Sequence, residues 1–300
     1  MSDVVNIGFL GLGQMGGAIA QRLLGKDWQL HVYDPRPDAM AAFVAAGATA
    51  HGSPASVADA ATVVFSCLPS QDVSLAVAFG PNGIVYGKAI RVYAEMSTIG
   101  GQTLERIASK LSANGIETID APVTGGPPAA RAGTLTIMLS GEAAALATVQ
   151  PILAMMGKNV IHVGGRSGMA QTMKVINNLI MAANMVTACE GLAMGVKAGL
   201  DVDTMLDVLR AGTGQSFAGC EILRRAVADS FDFGAKLSIV SKDMALGVHE
   251  SAALQTTTPV LDLAGAIWIE AGKTDLHDED FTAIMKFVES CSGVVVRARE

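Results

Sequence analysis

Lys174 and Asn178 stand four residues apart in a stretch with no further charge before Glu190, so on a helix they share one face. An ammonium group in apolar surroundings is costly unless it meets an anion or takes part in chemistry. The alternative is a lysine that snorkels from a helix end or pairs structurally. Upstream, Asp120-Ala121-Pro122-Val123-Thr124-Gly125-Gly126 follows an apolar run. A hydroxyl before two glycines exposes several backbone N–H groups in a small space, which suits a carboxylate.

Nearer the start, Gly11-Leu12-Gly13-Gln14-Met15-Gly16 has the spacing G-x-G-x-x-G. With 33 glycines in the chain the pattern alone is weak, and its setting strengthens it. An apolar run leads in, a helical pattern leads out, and a second run ends at Asp34, eighteen residues after Gly16. Gly11 permits the tight turn, Gly13 lets the backbone approach a pyrophosphate, and Gly16 lets the helix pack close to the strand. The phosphates of a dinucleotide would sit on open amides at the helix N-terminus, which needs no basic side chain. Asp34 suits a ribose diol and repels a 2′-phosphate, favouring NAD over NADP. Arg36 could pair with such a phosphate, leaving NADP possible, or be a solvated loop residue.

Other chemistries are excluded. Asn82-Gly83-Ile84-Val85-Tyr86-Gly87-Lys88-Ala89 carries a Gly-Lys pair, but Asn82 replaces the first glycine of a phosphate loop and Ala89 its metal-binding hydroxyl. The five histidines (His31, His51, His162, His249, His277) read as isolated, and Asp278-Glu279-Asp280 as acidic residues near the start of the last helix. No metal is expected. Cys67, Cys189, Cys220 and Cys291 lie far apart with no CxxC, as reduced thiols of a cytoplasmic protein would.

The elements that must position these residues follow from pattern. Of 300 residues, 50% are hydrophobic and 16% charged, which excludes a disordered chain and suits one large or two modest domains. Lys+Arg number 21 against 28 Asp+Glu, a net charge of −7, so no basic footprint for nucleic acid exists. Met1-Ser2-Asp3 lacks the basic start of a leader, and the uncharged interval after Lys174 is too short and too rich in asparagine for a membrane span. Apolar runs at 5–10, 30–33, 62–68, 91–96, 117–119, 135–139 and 160–163 read as strands covered on both faces. Helical patterns between them, such as 17–24, 37–46 and 104–114, imply a mainly parallel sheet. After Gly164 the strand signal stops. A helix over 171–198, hydrophobic almost all round and so expected to be buried, is followed by helical patterns at 203–210, 220–229, 237–253, 258–270 and 281–291. The expected architecture is an α/β Rossmann-like domain over 1–164 and an all-α domain over 165–300, joined by that long helix. Its apolarity also predicts a homo-oligomer.

Taken together, these motifs resemble those of the β-hydroxyacid dehydrogenase family. The resemblance runs over nearly the whole chain: Gly8-Phe9-Leu10 leading into Gly11–Gly16, the segment 120–126, Lys174 to Asn178, and Lys242-Asp243. It implies a nicotinamide-dependent enzyme, 3-hydroxyisobutyrate dehydrogenase-like, acting on a small carboxylate substrate in a cleft between the two domains, and a homodimer or homotetramer. By the resemblance Lys174 is the acid/base at the substrate oxygen, and Asn178 keeps substrate or lysine in register. Thr124, Gly125 and Gly126 bind the carboxylate, with Thr124 where serine is common. The loop Gly11-Leu12-Gly13-Gln14-Met15-Gly16 with Asp34 and Arg36 holds the dinucleotide, while Leu68, Pro69 and Thr98 line its nicotinamide side. Lys242 closes the cofactor site, unless it only pairs with Asp243. Pro127-Pro128 stiffen the substrate loop and leave the substrate open: tartronate semialdehyde, L-serine and threonate are alternatives. Imine reductases share the architecture but generally lack the lysine, and a non-catalytic dinucleotide sensor would not need Lys174, Asn178 and Thr124 together.

Overall fold

The computed structural model describes residues 5–298, so the leader question at Met1 to Asp3 lies outside the described residues. The chain divides into two compact units, residues 1–174 and 175–300. The first is built on nine strands: β1 (Val5–Leu10), β2 (Trp28–Tyr33), β3 (Thr49–Ala50), β4 (Val63–Ser66), β5 (Val92–Glu95), β6 (Glu117–Asp120), β7 (Val123–Thr124), β8 (Leu135–Ser140) and β9 (Gly157–Gly164). Their order is β3-β2-β1-β4-β5-β6-β8-β7, with β9 on β8. The chain therefore builds outward in both directions from the β1/β4 boundary, the switch point where ligands of such sheets bind. Every residue of β4 and β5 is buried, as strands covered on both faces require.

Around the sheet run α1 (Gln14–Gln21), α2 (Pro37–Ala45), α3 (Pro54–Ala60), α4 (Gln71–Phe79), α5 (Gly101–Ser112), α6 (Gly126–Ala132) and α7 (Ala143–Met156). Local chemistry sets several starts. Ser53 and Ser56 form a reciprocal capping box with Pro54 in the first turn of α3, and the Ser70 hydroxyl accepts the Val73 N–H at α4. One apolar layer gathers Ile7, Phe9, Ile19, Phe65 and Val149, and the other Leu10, Val64, Tyr93 and Leu104. α8 (Met169–Lys197) starts in the first unit and continues into the second, which adds α9 (Val202–Ala211), α10 (Leu223–Val227), α11 (Leu237–Ala253), α12 (Pro259–Ala271) and α13 (Ile284–Ser292). Its core gathers Met185, Leu206, Ile284 and Trp268, whose indole N–H donates to the Ala182 carbonyl at 3.1 Å.

Several expectations are adjusted. α1 begins at Gln14 rather than Gly17, so the end of the glycine motif is already helix. β8 runs antiparallel to β6 and β7, because the seven-residue α6 leaves too little chain for a parallel crossover. The long helix is not buried all round: Ile176, Ile180 and Met194 are exposed, the last at 73%. By length and composition it could cross a membrane, and half of its most apolar window is buried in protein.

Candidate active site

The glycine motif makes the turn from β1 into α1, and its three glycines are glycine for different reasons. Gly11 has φ of 89°, and a Cβ there would strike the Cys67 carbonyl oxygen. A Cβ on Gly16 would strike the Gly11 carbonyl oxygen. Gly13 has φ −68° and ψ −168°, a conformation open to any residue, and a Cβ there would meet nothing within 4 Å. Neither backbone strain nor a clash asks for glycine at this helix start, and the space in front of it leaves room for a pyrophosphate. At the end of β2 the buried Asp34 carboxylate accepts the Leu12 N–H at 2.8 Å, the Arg36 N–H at 2.9 Å and the Arg36 guanidinium at 3.0 Å. Burial pushes this carboxyl up, but the Arg36 hydrogen bonds, the Leu12 amide and the Arg36 charge outweigh it and hold it below the usual range.

On the far side of the switch point, the loops after β4 and β5 carry Leu68, Pro69 and Thr98. The Ser97 hydroxyl accepts the Leu68 N–H at 2.6 Å and donates to the Glu95 carboxylate at 2.5 Å, which ties the two loops together. Glu95, fully buried, also accepts from Ser66 at 3.0 Å and Tyr93 at 2.8 Å. Burial and then the Glu95 charge raise the Tyr93 phenol well above its ordinary value. Thr124 ends β7, and Gly125 and Gly126 follow with φ of 128° and 71°, so both glycines are conformationally required.

Sequence reasoning did not reach the apparatus under these loops. Gln171, in the first turn of α8, is fully buried. Its side-chain oxygen accepts the N–H groups of Ile99 at 2.8 Å and Gly100 at 3.1 Å. Its amide nitrogen donates to the Ser97 carbonyl at 2.8 Å and to Asp120 at 3.0 Å. Asp120, at the end of β6, further accepts the Gln171 N–H at 2.9 Å and the Ser140 hydroxyl at 3.1 Å. Burial pushes the Asp120 carboxyl up to about 7 against these donors. One turn beyond Gln171 lies Lys174, only 9% exposed. The signal available in the sequence was a polar residue at each of these positions inside apolar text.

In the second unit, Asp243 gathers two of the predicted residues. Its carboxylate accepts from the buried Asn178 amide at 2.8 Å and lies 3.0 Å from the Lys242 ammonium. The Asn177 amide donates to the Asn178 side-chain oxygen at 3.2 Å, which fixes how that carboxamide is turned. Lys242 thus makes the ion pair that its neighbour in sequence allowed. One reading of the titratable groups changes. His31 and His51 are not isolated: the parallel pairing of β2 with β3 sets their ring nitrogens 2.9 Å apart, and burial lowers the basicity of both. No group of three or more metal-ligating side chains occurs among the described residues. Arg210, Arg224 and Arg225 pair with Glu221, Asp207 and Asp232.

The open helix start at Gly13, at the point where strand order reverses, marks a dinucleotide-binding protein. Comparisons with known proteins give the same class. Residues 6–164 match the NAD binding domain of 6-phosphogluconate dehydrogenase, and residues 168–288 the NAD-binding domain of NADP-dependent 3-hydroxyisobutyrate dehydrogenase. The 2-(hydroxymethyl)glutarate dehydrogenase of Eubacterium barkeri is 33% identical, covering 99% of both chains. The NAD-dependent L-serine dehydrogenase of Pseudomonas aeruginosa is 31% identical over 96% of this chain and 99% of its own. Among solved structures, 3-hydroxyisobutyrate dehydrogenase from Salmonella typhimurium superposes with a TM-score of 0.84 at 26% identity, covering 94% of this chain and 99% of its own. The chain belongs to the β-hydroxyacid dehydrogenase family and is an NAD(P)-dependent oxidoreductase of CH–OH groups.

Proposed function

We propose that the protein oxidises, or in reverse forms, the primary alcohol of a small acid HOCH2–CH(R)–COO⁻, with Lys174 as acid/base. The substrates named by the three relatives, 2-(hydroxymethyl)glutarate, L-serine and 3-hydroxyisobutyrate, share this frame and differ only in R. The observation that carries the reading is the buried Lys174, held one turn beyond a helix start that is hydrogen-bonded to the loops beside the glycine motif. Lys174 Nζ takes the hydroxyl proton in oxidation and returns it to the incipient alkoxide in reduction, where its cationic form also stabilises the oxygen's negative charge. The bound nicotinamide supplies the hydride acceptor or donor. Thr124 and the Gly125 and Gly126 amides hold the carboxylate, and Asn178, turned by Asp243, orients the substrate. Asp34 takes the ribose diol, which favours NAD; Leu68, Pro69, Thr98 and Lys242 complete the cofactor site.

On this reading residues 1–164 bind the dinucleotide and 165–300 form the substrate and oligomerisation domain. Exposed Ile176, Ile180 and Met194 support a homodimer or homotetramer, and the four free thiols support a cytoplasmic location. The test is nicotinamide absorbance with NAD⁺ and NADP⁺ against 3-hydroxyisobutyrate, L-serine, 2-(hydroxymethyl)glutarate, glycerate and threonate, with tartronate semialdehyde in reverse. Lys174→Ala is expected to lower turnover by about a thousandfold or more while NADH still binds. Wild-type turnover in that variant would remove the lysine from the mechanism.

A further inference from the structure

We propose that Gln171 is a positioning residue for hydride transfer, its carboxamide fixing the register between the loop after β5 and the turn of α8 that carries Lys174. The inference rests on the role assigned to Lys174 above.

The carboxamide uses all its hydrogen-bonding directions. Two backbone N–H groups, from Ile99 and Gly100, meet its oxygen, while the Ser97 carbonyl and the Asp120 carboxylate meet its nitrogen. A half-turn of the amide would oppose nitrogen to two donors and oxygen to two acceptors, so only one orientation is stable. The helix start is held beside it by the Gln171 N–H on Asp120 at 2.9 Å and the Ala170 N–H on the Ser140 hydroxyl at 3.1 Å. Ends of β6 and β8 and the loop after β5 therefore converge on one turn of α8.

Packing does not call for this arrangement. Methionine or leucine would fill similar space, whereas only a primary amide presents two donors and one two-fold acceptor in a single plane. Thr98 lies inside the clamped span between Ser97 and Gly100, and Lys174 lies one turn along the helix. The amide thus joins the residue placed at the nicotinamide side to the residue placed at the substrate oxygen. A misplacement of about 1 Å between reacting groups lowers a rate by about a hundredfold.

The test compares Gln171→Met, Gln171→Glu and Lys174→Ala in the full chain, with NADH and the three named hydroxy acids as probes. Gln171→Met should lower kcat by about a hundredfold with little change in KM. NADH affinity should stay within a few-fold. Amide hydrogen exchange should quicken at Ile99 and Gly100 while β5 stays protected. Gln171→Glu sets a second carboxyl against Asp120, with the charge of Glu95 on β5 acting on it and Lys174 three residues along α8. A proton shared between the two carboxyls restores a donor, so this variant should hold activity below about pH 7 and lose it more steeply than wild type above. That profile decides the matter even if Gln171→Met does not fold. The proposal is overturned by wild-type kcat in Gln171→Met. It is equally overturned if kcat, melting temperature and NADH binding fall together while Gln171→Glu follows the wild-type pH profile. Wild-type turnover in Lys174→Ala would instead strike the underlying assignment, so the two failures are told apart.

Discussion

Alanine at Gly13 and at Gly16 should separate what the cofactor demands from what the fold demands within one motif. At Gly16 the new methyl falls against the Gly11 carbonyl oxygen, with the Cys67 Cβ at 3.2 Å. Backbone on one side and a strand-end side chain on the other cannot both yield, so Gly16→Ala should cost about 1–3 kcal/mol of stability, several degrees in melting temperature for a chain of this size. At Gly13 the backbone suits alanine and a Cβ meets nothing within 4 Å. The reduced freedom of the unfolded chain, worth about 0.4–1 kcal/mol, is offset by the poorer helix cap that alanine makes, so stability should change by less than about 1 kcal/mol. The methyl occupies the space in front of the helix amides. Losing a hydrogen bond to a charged phosphate costs about 1.5–3 kcal/mol, or roughly 10- to 150-fold in affinity. Fluorescence titration with NADH and thermal unfolding by circular dichroism, run on the same samples, read both quantities. Gly13→Ala should lose affinity at unchanged melting temperature, and Gly16→Ala should lose both. A Gly13→Ala variant that binds NADH like wild type would refute the reasoning, as would one that melts below Gly16→Ala.

Asp34→Asn frees the Arg36 guanidinium that Asp34 now holds at 3.0 Å and, on the proposed placement of the ribose, removes the charge that would face a 2′-phosphate. The ratio of kcat/KM for NADP⁺ over NAD⁺ should rise by about tenfold or more, and an unchanged ratio would count against Asp34 at the ribose. Asp120, raised from 3.8 to about 7 in the folded chain, binds more protons folded than unfolded between those values. Its contribution to stability is thus complete below about pH 4 and lost as pH rises through about 7. Asp120→Asn lacks that titration, so wild type should gain on the variant as pH falls across this window in urea unfolding; a gap constant with pH would contradict the assignment.

The glycine motif was legible because its constraints are local: a turn, a close backbone approach and a strand ending in Asp34 all fall within a short span of sequence. The strand-helix alternation was legible for the same reason, since runs such as β4 and β5 carry their burial in their composition. What escaped is what the sheet assembles from a distance. Ser97, Asp120, Ser140 and Gln171 come from four segments, and no spacing rule links them. The His31–His51 approach depends on the β2–β3 register, and β3 and β7, of two residues each, are too short to leave a periodic signal. The exposed Ile176 and Ile180 on α8 mark the limit of an all-round apolar pattern, which does not tell which faces of a helix its own fold covers.

The buried polar set beneath the strand ends has an energetic consequence. Two carboxylates, Glu95 and Asp120, are out of water at the ends of adjacent parallel strands, and the Asp120 pKa records how unfavourable its charged form is there. An apolar set at positions 95, 97, 120, 140 and 171 would avoid that desolvation and could pack as tightly. It would not distinguish one placement of the Ser97–Gly100 loop from another, because apolar contacts tolerate small slides whereas donor–acceptor pairs do not. Stability is given up at the place where the sheet meets α8, and geometry is gained there. On the proposed mechanism the residues that profit are Thr98 and Lys174, which hydride transfer would need in fixed relation, and this sets Gln171 with the chemistry rather than with the core.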